Sequence, residues 1–550
     1  MEIKNINIKN LSLAAVFVSF LLLVACTDLE VPVESELVPE NFPTEAAHYD
    51  AAKGPIYGRL ASDISSGSYW RIQTLTTDDH VLPARAGNWD DGGQFREAHR
   101  HTWTVDHVWA DNTWSFGFSG ITACNQLLSL FADQPEGPLK DAQFAEIRMM
   151  RAFFYYIMMD IFGNVPIMKT FDEDPATSPR AEVFNFIESE VLAVIPNLPE
   201  DVNVETYGRP TKWMAHALLH RMYLNAQVYT GQAKWNEAIQ QADFVINSGK
   251  FALDADFLSM FKPDNGPQIR EFIFAVVVDA FQTEGGIYSR YSISSELSNL
   301  KYGMGTRSVS NAHRMQPEMF EKFDWEKNTG GQWICTTQDV RNQTILIGPQ
   351  YDSKGNPILI KTTYSKLNEE YNGPTPAKDT TWHLSFSKEI WLRGDPAKMD
   401  CANDLTSQFM GARSVKFYPD PNWNPTPRYE NHDFPFFRLA EVIMGKAEAI
   451  MRGGTPTGGD TPLSLINQVR ARAHAALYTQ GQLTLDELLD EYAREFQHEA
   501  HRRTDLIRFG KFHEPRLFRP NVSESYRQLF PVPSNQMNLN PKLTQNPGYN

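Results

Sequence analysis

The sequence predicts a mainly α-helical protein. Helical hairpins stack as a solenoid core, and a large insertion of loops and short strands covers it. Three observations carry this reading. Two stretches place apolar residues at helical spacing on both sides of a Gly-containing break. A long middle segment loses that spacing. A chain of 550 residues with 42% apolar content can bury a sizeable core, and its mean hydropathy of −0.41 is that of neither a membrane bundle nor a disordered tail.

The first hairpin spans 211–247. Ala215, Leu218, Leu219, Met222, Tyr223 and Ala226 fall at i, i+3, i+4, i+7, i+8 and i+11, which is one helix face. Tyr229-Thr230-Gly231-Gln232 breaks it. Trp235, Ala238, Ile239, Ala242, Val245 and Ile246 form a second face with Trp235 at its head, and Ser248-Gly249 closes it. The spacing is tetratricopeptide-like. In the second hairpin, Phe437, Ala440, Glu441, Met444, Ala447, Glu448 and Met451 share a face. A Gly-rich loop at 453–459 leads to Leu463, Ile466, Val469, Arg470 and Ala473. Further helices read at about 113–131, 141–162, 181–195 and 484–500. Such hairpins cannot bury their faces alone, so they stack.

Residues 255–430 are rich in Gly, Pro, Asn and Tyr, with Trp at 325, 333, 382, 391 and 423. They read as the insertion. The helical core is then about 46–254 and 431–550. Phe272 to Val278, seven apolar residues and far short of a membrane span, reads as a buried strand. Residues 60–112, with Trp70, Trp89, Trp103 and Trp109, read as loops and short strands like the insertion.

Residues 1–25 read as a lipoprotein signal peptide. Lys4 and Lys9 precede an apolar run from Leu11 to Ala25, the length of a leader core and short of a membrane span. It ends in Leu23-Val24-Ala25-Cys26, which resembles a bacterial lipobox, with Cys26 as the lipidated residue. An ordinary secretory leader with a chance Cys is the alternative. Residues 26–45 read as an acidic tether: Asp28, Glu30, Glu34, Glu36 and Glu40, kept extended by Pro32, Pro39 and Pro43. The same acidic stretch could instead signal export to the outer leaflet.

Charge excludes a class of partner. With 51 Lys and Arg against 67 Asp and Glu, the formal net charge is −16 and no long basic run exists, so nucleic acid is not expected. Besides Cys26, the chain has Cys124, Cys335 and Cys401. An odd number forbids a full disulfide framework. A Cys335–Cys401 bridge is permitted, and Cys124 reads as a buried thiol.

Catalytic and metal motifs are mostly missing. His498-Glu499-Ala500-His501 places its second His one residue short of zincin spacing. Glu495 and His498 match a di-iron spacing that one chance pair would also give. His99, His101 and His107 read as polar surface. No cofactor is expected; Asp172–Asp174 or Asp352–Asn356 could hold a structural Ca²⁺, though both also read as turns.

Eight ordered segments carry a resemblance. Glu146, Arg148, Arg151, Ala152 and Tyr155 match E-x-R-x-x-R-A-x-x-Y and lead to Gly163 and Pro166. Gly208-Arg209-Pro210-Thr211-Lys212 opens the next helix. Trp235 to Phe251 matches W-x-x-A…A-x-x-V-I-x-S-G-x-F. Arg438-Leu439-Ala440-Glu441 with Ala447-Glu448-Ala449, then Asn467 to Arg472, follow. Arg502, Asp505, Leu506, Arg508, Gly510 and Lys511 match R-x-x-D-L-I-R-x-G-K, and Phe530 to Tyr549 matches the terminal signature. Together they resemble the SusD/RagB family of outer-membrane nutrient-binding lipoproteins. Two positions depart from the pattern: Tyr492 stands for an Arg and Ala500 for a Gly, both expected in a structural helix.

The resemblance implies a non-catalytic, lipid-anchored protein of the outer membrane, facing the exterior. It would bind an oligosaccharide and work with a SusC-like TonB-dependent transporter. The insertion would form the ligand side. A peptide-binding, RagB-like member and, less so, a surface glycoside hydrolase are the alternatives. The Arg and Glu residues of the motifs are expected to pair between stacked helices. For the ligand, aromatic faces pack on sugar C–H faces, and planar polar groups meet the hydroxyls. Trp89, Trp325, Trp333 and Tyr302 are the candidate platforms, and Asp79 and Arg85 the candidate hydrogen-bonding partners, with Arg307 beside them.

Overall fold

The computed structural model describes residues 46–549, apart from 172, 284, 306–308, 362–380, 403–404 and 427. The signal peptide, Cys26, the tether and Arg307 therefore lie outside the described residues. Residues up to Ala52 form a unit of their own, of which the helix Ala46–Ala52 is described. Lys53 onward is a second unit.

Helices build its core as expected. Val108–Leu130 packs on Pro138–Phe162, which packs on Arg180–Val194. Lys212–Leu224 packs on Trp235–Ile246, that helix on Leu439–Met451, and that one on Pro462–Arg472. The two predicted hairpins are thus neighbours, although about 200 residues separate them in sequence. Pro138–Phe162 is buried on every side from Met149 to Phe162, as a central helix must be. It approaches Val108–Leu130 closely at Gly120, where a Cβ would come within 2.5 Å of the Phe154 ring.

Local signals set the helix ends. Thr211 caps Lys212–Leu224 by accepting from the Met214 amide at 3.3 Å. Thr461 and Ser464 form a capping box with Pro462 in the first turn. Gly231 ends the short helix Ala226–Thr230 in the left-handed region at φ 80°.

The strand Phe272–Val276 forms where the apolar run predicts it. It pairs antiparallel with Phe434–Arg438, and every residue of both strands is buried. This pair holds the two ends of the insertion together, so the chain leaves and re-enters the core at one place. Phe437 therefore lies in a strand and not on the helix face that its spacing suggested. Between the ends, the insertion is a set of two-stranded pairs, such as Trp325–Lys327 with Trp333–Cys335 and Leu359–Lys361 with Thr381–His383. It has its own apolar clusters, one around Leu297, Leu384 and Phe386 and another around Met315, Met319 and Phe320.

Other expectations change. Residues 60–112 are largely short helices, Leu60–Ile64, Ser68–Leu75 and Gln94–Arg100, and Trp70, Trp103 and Trp109 are buried. The helix expected at 484–500 is Leu485–Phe496; Ala500 lies beyond it at φ 59°, the left-handed region that suits the Gly of the family pattern. Trp235 is half-buried beneath Arg452, whose guanidinium lies 5.6 Å from its ring, so it borders the core instead of filling it. Cys124, Cys335 and Cys401 are all free; Cys335 is exposed while Cys401 is buried, and no bridge joins them.

The motif arginines and glutamates do pair across helices. Arg438 reaches Glu271 at 2.8 Å, Glu495 at 2.6 Å and Glu499 at 2.8 Å. Arg341 reaches Glu491 at 2.8 Å, Arg470 reaches it at 2.5 Å, and Arg508 reaches Glu448 at 2.7 Å. Burial opposes the charge on Glu491, yet Arg341, Arg494 and Arg470 hold its carboxyl far below the usual range. This network ties the insertion to the core at its base.

Candidate functional site

The site is built around one helix and one turn. In Ser68–Leu75 every side chain but Arg71 is buried. Tyr69, Trp70 and Ile72 anchor the helix, so Arg71 is fixed at the surface. Its Nη2 donates to the Tyr291 hydroxyl at 3.1 Å, and its guanidinium lies 5.9 Å from the Tyr291 ring and 6.0 Å from that of Phe95.

The turn presents Trp89. Arg85 and Asn88 exchange backbone hydrogen bonds of 2.8 and 3.0 Å, and Ala86, Gly87 and Trp89 all have positive φ, 48°, 85° and 65°. Positive φ at a Trp is strained backbone, which persists only where surrounding structure enforces it. Trp89 is half-buried, edge-on to Tyr291 at 5.4 Å and to Phe95 at 6.4 Å. Arg290 lies 5.9 Å from its ring and 5.4 Å from that of Tyr291.

Beside this aromatic patch, and joined to it by Arg71, is a cleft of about 510 Å³. Arg59, Asp63, Asn112, Ser62, Ser68 and Ser115 line it with Arg71. Asn112 is exposed and donates to the Ser68 hydroxyl at 3.2 Å. Burial pushes the Asp63 carboxyl up to about 6, against the pull of Arg59 and Arg71. Planar amide, carboxyl and guanidinium groups thus stand next to an open indole, the combination that sugar rings need.

The sequence-based candidates scatter. Trp89 is at the patch. Arg85 is close behind it, turned toward Arg314 and Arg413. Asp79 is buried and cannot meet a surface ligand: its oxygens accept from His80 Nδ1 at 2.7 Å and from the His498 amide at 2.9 Å. Tyr302 is also buried, packed in the insertion's own apolar cluster. Trp325 and Trp333 are half-buried against the other cluster, and Trp325 Nε1 donates to the Asn342 carbonyl at 3.3 Å. Trp333 lines a separate groove of about 400 Å³ with Trp382, His383 and Glu389. Arg71, Tyr291, Arg290, Asp63 and Asn112 were missed by spacing. The one signal was Arg71 itself, the single charge in the segment Ser68–Leu75.

His99, His101 and His107 are buried structural groups and not polar surface. His101 Nε2 bonds the Thr76 carbonyl at 2.7 Å and His107 Nε2 that of Gln94 at 3.1 Å. Burial drives the pKa of His107 down to about 4. Among the described residues, Asp79, His80 and His498 are the three whose donor atoms converge, within 4.8 Å, as a metal would require. Their mutual hydrogen bonding accounts for the convergence. In Asp352–Asn356, the Asp352 carboxylate is taken by its own turn, at 2.8 Å from the Lys354 and Asn356 amides. Asp172 lies outside the described residues.

Comparison with known proteins decides the family. Residues 270–549 match the model described as "SusD family", just over half of the chain. The chain belongs to the SusD family. Within this SusD-family chain, residues 56–224 match a second model, described as "Starch-binding associating with outer membrane". The sequence is 28% identical to the starch-binding protein SusD of Bacteroides thetaiotaomicron over 451 residues, 76% of each chain. It is 28% identical to SusD-like protein P2 of Formosa agariphila, covering 97% of this chain and 98% of that one. Among solved structures, surface glycan-binding protein A from Bacteroides fluxus aligns with a TM-score of 0.68 at 18% identity, over 92% of this chain and all of that one. The same protein from Bacteroides thetaiotaomicron, in complex with laminarihexaose, aligns at 0.66 and 18% identity, over 91% and 99%. Those two likenesses establish a shared SusD-type fold.

Proposed function

We propose that this protein binds glycans at the cell surface and delivers them to a SusC-like TonB-dependent transporter in the outer membrane. The observation that carries the reading is Trp89, held half-open by a strained turn beside a cleft of Arg, Asp and Asn. An indole face with planar polar partners suits a pyranose chain better than an apolar peptide. The relatives support it: one is named a starch-binding protein, and one solved neighbour holds laminarihexaose. The second family description supports the outer membrane, and the Leu23–Cys26 lipobox supports a lipid anchor.

Binding without hydrolysis fits the cleft. Glycoside hydrolysis uses two carboxyl groups about 5–9.5 Å apart. Among the described residues Asp63 is the one carboxylate lining the cleft. No helix among the described residues is long and apolar enough to cross a membrane. The transport step is assigned to the SusC-like partner.

The test has two parts. Purified protein is screened against glycan and peptide arrays, with product analysis after incubation. Retention of an intact glycan supports the reading; peptide binding alone, or released sugar, overturns it. A tagged copy is then isolated from native membranes in mild detergent. A stable contact with the transporter should bury more than about 1,000 Å² and bring one large barrel with it. Repeated recovery of the protein alone overturns the delivery step.

A further inference from the structure

Many arginines of the helical core are paired with carboxylates. Arg438, Arg341, Arg472 and Arg508 each meet carboxylates within 4 Å. Acidic partners are abundant, with 67 Asp and Glu against 51 Lys and Arg. Around the cleft the pattern reverses. Arg59 and Arg71 line it, Arg290 flanks Trp89, and none of the three forms an ion pair with a described residue. Among the described residues, the Arg71 side chain meets the Tyr291 hydroxyl and ring faces, and that of Arg290 the rings of Trp89 and Tyr291. Asp63, also in the cleft, makes no ion pair with any of them.

A second layer of positive charge stands behind the patch. Arg314 donates to Cys401 Sγ at 2.9 Å and to the Ser407 carbonyl at 3.2 Å. Arg413 donates to Asn311 Oδ1 at 2.8 Å and to the carbonyls of Met410 and Gln408 at 2.9 and 2.8 Å. Both are fully buried, their hydrogen-bond partners among the described residues are neutral, and Arg85 lies near enough to add its charge. Burial, then the charges of Arg314 and Arg85, push the Arg413 pKa down. His313, which stacks on Tyr291 at 4.7 Å, feels both Arg71 and Arg413, so the two layers share one field. Charges taken out of water without a counter-charge are expensive, and an excess of one sign around a cleft attracts ligands of the other.

We propose that the ligand of this site is an anionic glycan, a chain bearing carboxylate or sulfate groups. The proposal rests on the glycan reading of the site and adds the class of sugar. Trp89 would take a ring face, while Arg71 and Arg290, 5.9 and 5.4 Å from the Tyr291 ring, would receive the anionic group. A guanidinium fork matches carboxylate and sulfate oxygens in pairs. Arg59, exposed at the cleft rim, would meet the next charged unit along the chain.

The experiment is calorimetry of the full chain against length-matched oligosaccharides. One set is neutral, one contains uronic acids and one carries sulfate esters, each at low and high salt. The expected result is a preference of about tenfold or more for one charged set, which weakens as salt rises. The better of the two charged sets tells carboxylate from sulfate. Arg71→Gln and Arg290→Gln should each reduce the charged-to-neutral preference about tenfold, as loss of a charge-assisted hydrogen bond does. Melting curves check that both variants fold. Equal or tighter binding of the neutral set, with no salt dependence, overturns the anionic class and leaves the glycan reading standing. Binding of no carbohydrate of any set overturns both.

Discussion

Arg71 and Tyr291 are joined by a 3.1 Å hydrogen bond between guanidinium and phenol, although 220 residues separate them. Arg71 stands on a helix of the core and Tyr291 on the short helix Tyr288–Ser292 of the insertion. The bond therefore stitches the two parts together at the edge of the cleft. It also holds the Tyr291 ring where Trp89 leans on it at 5.4 Å. The proposed recognition surface is a seam between core and insertion.

Trp89 supplies the aromatic face of that seam. Trp89→Ala should weaken glycan binding by about 2 kcal/mol, about thirtyfold, the size typical of a central aromatic anchor. The turn is on the surface, so the melting temperature should move little. Calorimetry with a melting curve checks both; an unchanged affinity would remove Trp89 from the site.

Arg438 is the hub of the buried network, with Glu271, Glu495 and Glu499 around it. Arg438→Met leaves three carboxylates without their shared cation. Loss of one partner of a buried ion pair destabilises by about 3–5 kcal/mol. Denaturant unfolding should show a loss of this order, and a change below about 1 kcal/mol would mean that Arg472, Arg341 and Lys416, which already contact these carboxylates, suffice without Arg438.

Trp70 and Trp235 should behave differently. Trp70 is 1% exposed and donates from Nε1 to the His498 carbonyl at 3.0 Å. Trp70→Ala should cost about 3–5 kcal/mol, as large core deletions do. Trp235 is half-buried, so Trp235→Ala should cost less than half as much. Thermal melts of the pair decide, and equal losses would place Trp235 in the core after all.

Asp63 gives a pH signature. Burial raises its folded pKa to about 6 from an unfolded value near 3.8. The folded state therefore holds this proton more tightly than the unfolded chain. Its contribution to stability is full below the unfolded value and is lost as pH rises through about 6. Asp63→Asn should stabilise the protein at neutral pH by about 1–2 kcal/mol, the partial exposure of the side chain being allowed for, and should gain nothing near pH 4. Unfolding curves of both proteins across that range check the sign.

Cys26 is the expected lipidation site. Cys26→Ala should leave an unlipidated chain that no longer fractionates with the outer membrane. Membrane fractionation and mass spectrometry of the mature N-terminus test this. If the variant remains wholly in the outer-membrane fraction, the anchor assignment is wrong.

The sequence by itself determined the framework. Apolar periodicity fixes the helices Lys212–Leu224, Trp235–Ile246 and Leu439–Met451, because a helix that buries one face must repeat about every 3.6 residues. Five consecutive apolar residues fix the strand Phe272–Val276. The ordered motifs, whose Arg and Glu residues pair across helices, fix the family. These features are local, or are carried by residue types that have few other uses in a core.

The proposed binding seam was decided by tertiary structure. Trp89 is legible because an aromatic among Asp, Asn and Gly is conspicuous. Its partners are not, since Asp63 and Arg71 come from one segment and Arg290 and Tyr291 from another about 220 residues away, and they share no spacing. Asp79 and Tyr302 have the right chemistry in sequence, yet the fold turns both inward. Asp79 goes to His80 and His498, and Tyr302 to the apolar cluster around Leu384. Residue type states what a side chain can do. Burial and the charges brought beside it state what it does, and those depend on contacts between residues hundreds of positions apart.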